Sequence, residues 1–222
     1  LELEAELKQI GVNIEQYNTT CPFVEKVWNR AAKLATSDYT IVIHGKPQHE
    51  ETRATFSHAR NAGQAVVVKN MIEAEILSEF ITGDRPMSEF WDFFTDRCSD
   101  GFDPSLHLDR LGVVNQTTML ASDTQAISDR IRQAVESKGR KPDAFANTRD
   151  TLCYATNDNQ QATHAALIAQ PLDMALVVGG YNSSNTSHLV ELCEATAPTF
   201  FVKNEHELNE DGGVKHFDWR SG

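Results

Sequence analysis

The sequence lacks three features that would assign it to broad classes of protein. No hydrophobic run approaches the roughly 18 apolar residues that a membrane-spanning helix needs. The N-terminal region carries Glu2, Glu4 and Glu6 where a signal peptide would be basic and then apolar. Basic residues are few, 20 Lys and Arg against 32 Asp and Glu, and they form no basic stripe. The sequence therefore predicts no nucleic-acid partner and no membrane partner.

Cysteine is also scarce, and its spacing is uninformative by itself. The four cysteines are Cys21, Cys98, Cys153 and Cys193, and none belongs to a CxxC pair. Without a secretory signal, this pattern favours a reducing compartment over a disulfide scaffold. We expect a cytoplasmic protein, and an organellar location stays open because a targeting segment would precede residue 1. Dispersed cysteines can still meet at one cluster if each occupies the same turn of a different domain.

Apolar β-branched runs alternate with segments of helical periodicity along most of the chain. The predicted strands cover residues 39–45, 64–69, 111–116, 174–180 and 199–203. The predicted helices cover residues 1–10, 50–60, 71–82, 122–138, 157–170 and 186–195, with a further helix from Pro22. Capping pairs are predicted at Asn70 with Glu73 and at Ser122 with Gln125. This order predicts an α/β fold of small parallel-sheet domains with flanking helices.

Three parts of the chain are predicted. Residues 1–21, a helix and a possible short strand over 12–14, are too few to bury a core and are interpreted as the remnant of a first domain. Residues 22–150 form a second α/β domain, which includes a polar and aromatic insertion over 84–103. Residues 151–222 form a third α/β domain that ends without a closing helix, so we expect it to be truncated. Gly139, Pro142 and Asn147 mark the boundary between the second and third domains.

Two cysteines precede helices in a way that favours chemistry at sulfur. Pro22 suits the first position of a helix, which makes Cys21 the cap residue, facing the positive end of the helix dipole. A thiolate held there is a metal ligand or a nucleophile, and a small residue that only begins a helix is an equal alternative. Cys153 precedes the first helix of its own α/β unit in the same way. Cys98 is interpreted as structural or simply exposed, and Cys193 as a core residue.

Three polar turns follow predicted strands, where parallel sheets place their ligands. In residues 44–52, His49 could donate to an anion and Glu51 could donate a proton, although a hydrophilic helix start would look the same. In residues 115–118, Thr117 belongs to four consecutive hydrogen-bonding side chains that indicate either a polar ligand or a helix cap. Residues 179–187 resemble a phosphate cradle built from Ser183, Ser184 and Asn185, with a capped turn as the alternative.

Together these motifs resemble the 4-hydroxy-3-methylbut-2-enyl diphosphate reductase family. The matching stretches appear in the family's order between about residue 12 and residue 205. They are Thr19-Thr20-Cys21-Pro22, His44-Gly45-Lys46 with His49-Glu50-Glu51-Thr52, Val68-Lys69-Asn70, Asn115-Gln116-Thr117-Thr118, Cys153-Tyr154-Ala155-Thr156 with Gln160, and Gly179-Gly180 with Asn182-Ser183-Ser184-Asn185-Thr186-Ser187.

The resemblance implies a trefoil of three similar domains, of which this chain carries two, around a 4Fe-4S cluster. It implies metal ligation by Cys21 and Cys153, with the third cysteine outside this chain. It implies that an iron not bound by protein takes the substrate hydroxyl, which is removed as water with two electrons to give isopentenyl and dimethylallyl diphosphates. It implies that Glu51 supplies protons, that Thr117 orders the hydroxyl network, and that an external donor of the ferredoxin or flavodoxin type supplies the electrons. Diphosphate binding is implied for His49, Ser183, Ser184 and Asn185.

The chain departs from the family pattern at both ends. The first cysteine motif, two upstream histidines and a closing segment with another serine have no counterpart here. We therefore expect this chain alone to be inactive or nearly so. A non-enzymatic α/β module that binds a diphosphate or another anion is the alternative, and a cysteine nucleophile is a weaker one because no histidine partner is evident.

Overall fold

This computed structural model describes residues 2–14, 19–139, 143–146 and 153–220, and for residues 2–4 it describes the backbone only. The chain divides into two compact units. Unit 1 comprises residues 1–117 and 122–151, and unit 2 comprises residues 118–121 and 152–222. The assignment of these parts to domains of a three-domain protein stays a prediction.

Unit 1 alternates helices and short parallel strands. Its helices are α1 (Glu2–Gln9), α2 (Pro22–Ala35), α3 (Glu50–Ala62), α4 (Met71–Thr82), α5 (Phe90–Phe94), α6 (Pro104–His107) and α7 (Ala121–Ser137), and a 3-10 turn covers Met87–Glu89. Its strands are β1 (Thr40–His44), β2 (Ala65–Val68), β3 (Leu111–Asn115) and β4 (Phe145–Ala146). The predicted α/β class is confirmed.

The order of the strands creates a switch point in the sheet of unit 1. The order is β2-β1-β3-β4 and every pair is parallel. The chain leaves β1 to form β2 on one side and later returns to form β3 on the other side. His44 and Asn115, the last residues of β1 and β3, are paired in register. Parallel α/β sheets bind ligands at the carboxyl ends of two strands related in this way.

Two hydrophobic clusters cover the two faces of this sheet. One contains Val42, Val66 and Val113 of the strands and packs against α4, α5 and α7. The other contains Ile41 and Ile43 and packs against α2 and α3. Strand residues are buried on both faces, as expected where helices flank a parallel sheet on both sides. The core therefore holds the strand ends, and the turns that follow them, in fixed positions.

Several local predictions need correction. Residues 12–14 form no strand, since α1 ends at Gln9 and Gly11 takes a φ of +83°. Ser122 lies inside α7, where its hydroxyl contacts Asp123, and it does not cap the helix. The cap at Asn70 is confirmed, since its side chain accepts a hydrogen bond from Glu73 N–H. A two-residue strand such as β4 is too short to leave a periodic signal in the sequence.

Unit 2 is a smaller α/β arrangement. Its described elements are α8 (Tyr154–Ala169), β5 (Ala175–Val178), α9 (Ser184–Glu194), β6 (Thr199–Val202) and a 3-10 turn over Glu205–Glu207. Strands β5 and β6 are parallel. Tyr181 stacks on Phe217 with ring centroids 4.0 Å apart, and both rings contact Phe201 edge-on. Among the described helices of the chain, none is long and apolar enough to cross a bilayer.

Candidate active site

The turn after β1 lies close against both α3 and β3. A Cβ on Gly45 would sit 2.4 Å from Thr52 Oγ1 and 3.0 Å from Gln116 Cβ. Only glycine permits so close an approach of the backbone at this point. The turn is therefore held at the switch point, and it carries His49 and the start of α3 to that position.

His49 caps α3 and is held as a neutral donor. Its Nδ1 accepts a hydrogen bond from Glu51 N–H at 3.2 Å. Burial lowers the pKa of His49 and the charge of Lys46 lowers it further, while Glu50 acts in the opposite direction. Because Nδ1 is an acceptor, the proton of the neutral ring lies on Nε2. His49 can thus offer one N–H to a ligand.

Glu51 and Thr117 form the central pair of the site. The Thr117 backbone N–H lies 2.5 Å from Glu51 Oε1, and the Thr117 hydroxyl lies 3.0 Å from Oε2. Burial raises the pKa of Glu51, and the two hydrogen bonds from Thr117 oppose that rise. A carboxyl whose pKa is raised keeps its proton to a higher pH than an exposed glutamate does, which suits a proton donor. We call His49, Glu51 and Thr117 the switch-point site.

Two of the four polar side chains at the carboxyl end of β3 make hydrogen bonds within the protein. Asn115 donates to the Gln116 carbonyl oxygen at 3.0 Å, and Asn115 and Gln116 are both fully buried. The Gln116 side-chain oxygen accepts from Lys46 N–H at 3.1 Å and from the Thr52 hydroxyl at 3.0 Å. Sequence reasoning did not single out Gln116. Its position next to Thr117 was the available signal.

The turn after β5 resembles the turn after β1. Ser183 caps α9, and its hydroxyl accepts hydrogen bonds from the backbone N–H and the hydroxyl of Thr186 at 3.3 and 3.0 Å. Gly179 lies against the same threonine, because a Cβ there would be 2.7 Å from Thr186 Oγ1. Ser184, the first residue of α9, is buried. The capped turn of the sequence analysis is therefore present.

Asn185 and His188 carry polar atoms that the capped turn does not explain. Asn185 Oδ1 and His188 Nε2 are buried without a hydrogen-bond partner among the described residues. His188 Nδ1 lies 3.0 Å from Glu191 Oε2. Buried polar groups are nearly always hydrogen-bonded, so these two atoms of α9 are candidate contacts for a ligand or a water molecule.

Both predicted ligand cysteines occupy the N-cap position of a helix. Cys21 precedes α2 and Cys153 precedes α8, and neither side chain makes a capping hydrogen bond. Cys193 is buried, as expected of a core residue, and Cys98 is half-buried, which raises the pKa of its thiol to about 12. Within the described part of the chain, no three His, Cys, Asp or Glu side chains form a group that could hold a metal ion. Metal ligation by Cys21 and Cys153 therefore stays a prediction.

A cavity of about 690 Å³ in unit 1 lies beside the switch-point site without containing its residues. It runs along α3 and is lined by Arg53 and Arg60 together with Glu50 and Asp96. Arg97 also lines it and is paired with Glu73 at 2.8 Å. The four remaining charges balance one another, so the lining favours neither an anion nor a cation. The hydrogen-bonded geometry at the strand ends, and not the size of this cavity, identifies the candidate site.

Residues 2–218 match the family model described as LytB protein. The chain belongs to this family. The resemblance predicted from the motifs is therefore confirmed.

Three LytB relatives illustrate the match, and all are named 4-hydroxy-3-methylbut-2-enyl diphosphate reductase. The one from Synechococcus sp. strain WH7803 is 38% identical over 208 residues, covering 90% of this chain and 50% of the relative. The one from Synechococcus sp. strain CC9902 is 44% identical over 177 residues, covering 79% of this chain and 43% of the relative.

The third, from Prochlorococcus marinus strain MIT 9515, is 43% identical over 181 residues, covering 79% of this chain and 44% of the relative. This LytB chain thus spans about half the length of the relatives it matches. Its fold is similar to the solved E-1-hydroxy-2-methyl-but-2-enyl-4-diphosphate reductase from Plasmodium falciparum, with a TM-score of 0.60 and 24% identity over 86% of this chain and 49% of that chain. At that identity the likeness concerns the fold alone.

Proposed function

We propose that this chain supplies two α/β domains of a 4-hydroxy-3-methylbut-2-enyl diphosphate reductase. Its LytB relatives carry that name, and it spans about half their length. We therefore assign the activity to a longer polypeptide and expect little or no turnover from this chain alone. The observation that carries the proposal is the Glu51–Thr117 pair, a half-buried acid at the switch point of a parallel sheet.

The proposed reaction replaces a carbon–hydroxyl bond with a carbon–hydrogen bond. The substrate gains two electrons and two protons, the C–O bond breaks, and the hydroxyl oxygen leaves as water. One proton goes to that oxygen and the other to carbon. We assign delivery of the proton to oxygen to Glu51, because burial raises its pKa and so favours the protonated form that a donor needs. Thr117 orients the carboxyl through its N–H and hydroxyl.

The diphosphate of the substrate would be bound by neutral donors at helix starts. His49 offers Nε2–H at the start of α3, and Ser183, Ser184 and Asn185 surround the start of α9. Helix N-termini attract anions through their unpaired N–H groups and their dipole. Asn185 would contribute through its side-chain N–H groups, since Oδ1 only accepts hydrogen bonds and cannot donate to a phosphate oxygen.

The cofactor of the proposal is a 4Fe-4S cluster. Thiolates are the usual ligands of such clusters, and the Cys21 and Cys153 side chains make no capping hydrogen bonds that would compete with iron. Two thiolates do not complete a cluster site, so a third cysteine outside this chain would be required. When bound, the cluster would pass the two electrons to the substrate from an external donor of the ferredoxin or flavodoxin type.

Iron and acid-labile sulfide per polypeptide provide the first test. The samples, purified anaerobically, are this chain and a polypeptide of its relatives' length that contains it. We expect a cluster in the longer protein, and we expect Cys21→Ser and Cys153→Ser to remove most of it. Cys98→Ala, which changes a half-buried structural cysteine, should retain it. Full iron binding by both serine variants would contradict the ligand assignment, and absence of reductive turnover by a loaded protein would contradict the function.

The anion-binding module is the second candidate, and the helix start of α9, capped by Ser183 and followed by Ser184 and Asn185, favours it. It predicts that the chain binds inorganic diphosphate while the longer protein binds no iron. Calorimetric titration with diphosphate, together with the iron analysis, separates the two candidates. Binding that Asn185→Ala and Ser183→Ala weaken, in a protein free of iron, would replace the reductase proposal.

A further inference from the structure

The geometry points to Gln116 as a positioning residue that holds Glu51 against Thr117. Its catalytic consequence rests on the proposed reductase function, whereas its structural part concerns this chain alone. Gln116 lies between β3 and Thr117, and its side chain points back into the protein, fully buried. It does not need to touch a substrate to affect the acid.

One oxygen of Gln116 joins two segments that come from the other side of the switch point. Gln116 Oε1 accepts from Lys46 N–H in the turn after β1 and from the Thr52 hydroxyl in the first turn of α3. Thr52 directly follows Glu51, and Gln116 directly precedes Thr117. The Gln116–Thr52 bond therefore runs beside the Glu51–Thr117 bonds, displaced by one residue on each side.

The backbone around this bond leaves it little freedom. Gln116 N–H donates to the His44 carbonyl at 2.8 Å, which extends the pairing of β1 with β3 by one step. The absent Cβ of Gly45 leaves the space that Thr52 Oγ1 and Gln116 occupy. A buried glutamine held in this way links the first turn of α3 to the end of β3 through hydrogen bonds. Removing it would let the first turn of α3 move away from Thr117.

This movement would change the pKa of Glu51 in a direction that can be measured. The two hydrogen bonds from Thr117 lower the pKa of Glu51 against the effect of burial. If Gln116 no longer holds α3 and these bonds lengthen while the Glu51 carboxyl stays half-buried, the pKa of Glu51 rises further. A residue that merely fills space would leave the pKa unchanged.

The test is a pH titration of the Glu51 carboxyl in this chain by 13C NMR, with the signal assigned by its loss in Glu51→Gln. We expect Gln116→Leu to raise the pKa of Glu51 by about one pH unit. Thr52→Val removes only the hydroxyl and should raise it by less, while Thr52→Ser should restore the wild-type value. If Gln116→Leu does not fold, the pKa of Glu51 in Thr52→Val compared with Thr52→Ser tests the inference.

The matched control is Gln64→Leu. Gln64 is in the same unit, and its side-chain oxygen accepts from the Ser99 hydroxyl at 2.6 Å, but it lies at the amino end of β2. This variant should leave the titration of Glu51 at its wild-type position. The inference is overturned if Gln116→Leu and Thr52→Val titrate like wild type or shift towards the ordinary glutamate value of 4.5.

A kinetic measurement extends the test to the proposed reaction. In an iron-loaded reductase that contains this chain, we expect Gln116→Leu to lower kcat by about 10- to 100-fold. KM should change little, because the Gln116 side chain is fully buried and its oxygen bonds within the protein. If the wild-type protein shows no reductase activity, the proposed function fails while the NMR result still decides the positioning role. Equal losses in Gln116→Leu and Gln64→Leu would assign the effect to general destabilisation.

Discussion

The turns after β1 and β5 follow one plan, although they lie in different units. Each has a glycine directly after the strand, a capping residue four positions later, and a threonine that packs on the glycine from the first turn of the next helix. The corresponding residues are Gly45 and Gly179, His49 and Ser183, Glu51 and Asn185, and Thr52 and Thr186. In each unit a cysteine-capped helix precedes the strand and its turn.

The two turns differ in what stands beside them. In unit 1 the end of β3 supplies Thr117 to Glu51 and Gln116 to Thr52. In unit 2 the sheet has two described strands, Thr186 bonds within its own turn, and Asn185 Oδ1 has no partner among the described residues. The local pattern thus builds the turn, while a neighbouring strand determines whether its functional side chain is held and how it ionises.

The largest expected effect is a difference in stability loss between alanine substitutions at Gly45 and at Gly179. Gly45→Ala would place a methyl group 2.4 Å from Thr52 Oγ1, and Gln116 restrains that hydroxyl, so we expect a loss of about 2–3 kcal/mol in the free energy of unfolding. Gly179→Ala meets Thr186, which is only half buried and can turn, so about 1 kcal/mol should be lost. Urea denaturation followed by circular dichroism measures both.

Adding Thr52→Ala to Gly45→Ala provides the control, because it removes the obstructing hydroxyl. The double variant should recover part of the stability relative to Gly45→Ala. Equal losses for the two glycine variants would show that the neighbouring strand does not tighten the first turn, and the contrast between the units would then be limited to their hydrogen bonds.

The same contrast explains how far sequence reasoning could go. Signals within a few residues were sufficient for Pro22 at a helix start and for the cap at Asn70, because the chemistry that decides them is local. Ser122 looked like a cap but lies inside α7, which begins one residue earlier. Propensity alone cannot locate a helix start to within a residue.

The contact between Glu51 and Thr117 could not be derived from local signals. These residues are 66 positions apart, and they meet only because β3 pairs with β1 instead of β2. Both were proposed as functional from their places after strands, and their pairing follows from the crossover. The role of Gln116 depends on the same crossover, since its partners Lys46 and Thr52 belong to the other side of the switch point.

The second prediction uses pH to distinguish Glu51 from Asn185. Burial raises the pKa of Glu51, so the folded chain binds this proton more tightly than the unfolded chain does. The resulting stability is fully present below the ordinary value of 4.5 and is lost as the pH rises through the folded-state pKa. Each pH unit of difference between the two states corresponds to about 1.4 kcal/mol. Urea denaturation between pH 4 and pH 8 should show this loss in the wild type and a flatter profile in Glu51→Gln.

Asn185→Ala serves as the comparison, because an amide does not titrate in this range. Its profile should run parallel to the wild type. If the stability profile of Glu51→Gln also runs parallel to the wild type, the Glu51 carboxyl is not held partly buried. The two turns would then not differ in their ionisation.

The smallest expected effect concerns the capping residues. Ser183→Ala removes the acceptor for Thr186 N–H and should cost about 1 kcal/mol in the free energy of unfolding. His49→Asn replaces a ring nitrogen with a preferred capping side chain, so stability should hold or rise by about 0.5 kcal/mol. The Asn variant nevertheless lacks the Nε2–H that the proposed diphosphate site uses.

Capping and binding can therefore be separated in unit 1, whereas in unit 2 they depend on the same hydroxyl. Denaturation midpoints combined with calorimetric titration of inorganic diphosphate would test this separation. In His49→Asn, binding should weaken without a loss of stability, whereas in Ser183→Ala the two should fall together. A His49→Asn protein that is destabilised as much as Ser183→Ala would mean that the imidazole is needed to build the turn, and its choice over a standard cap would then have a structural cause.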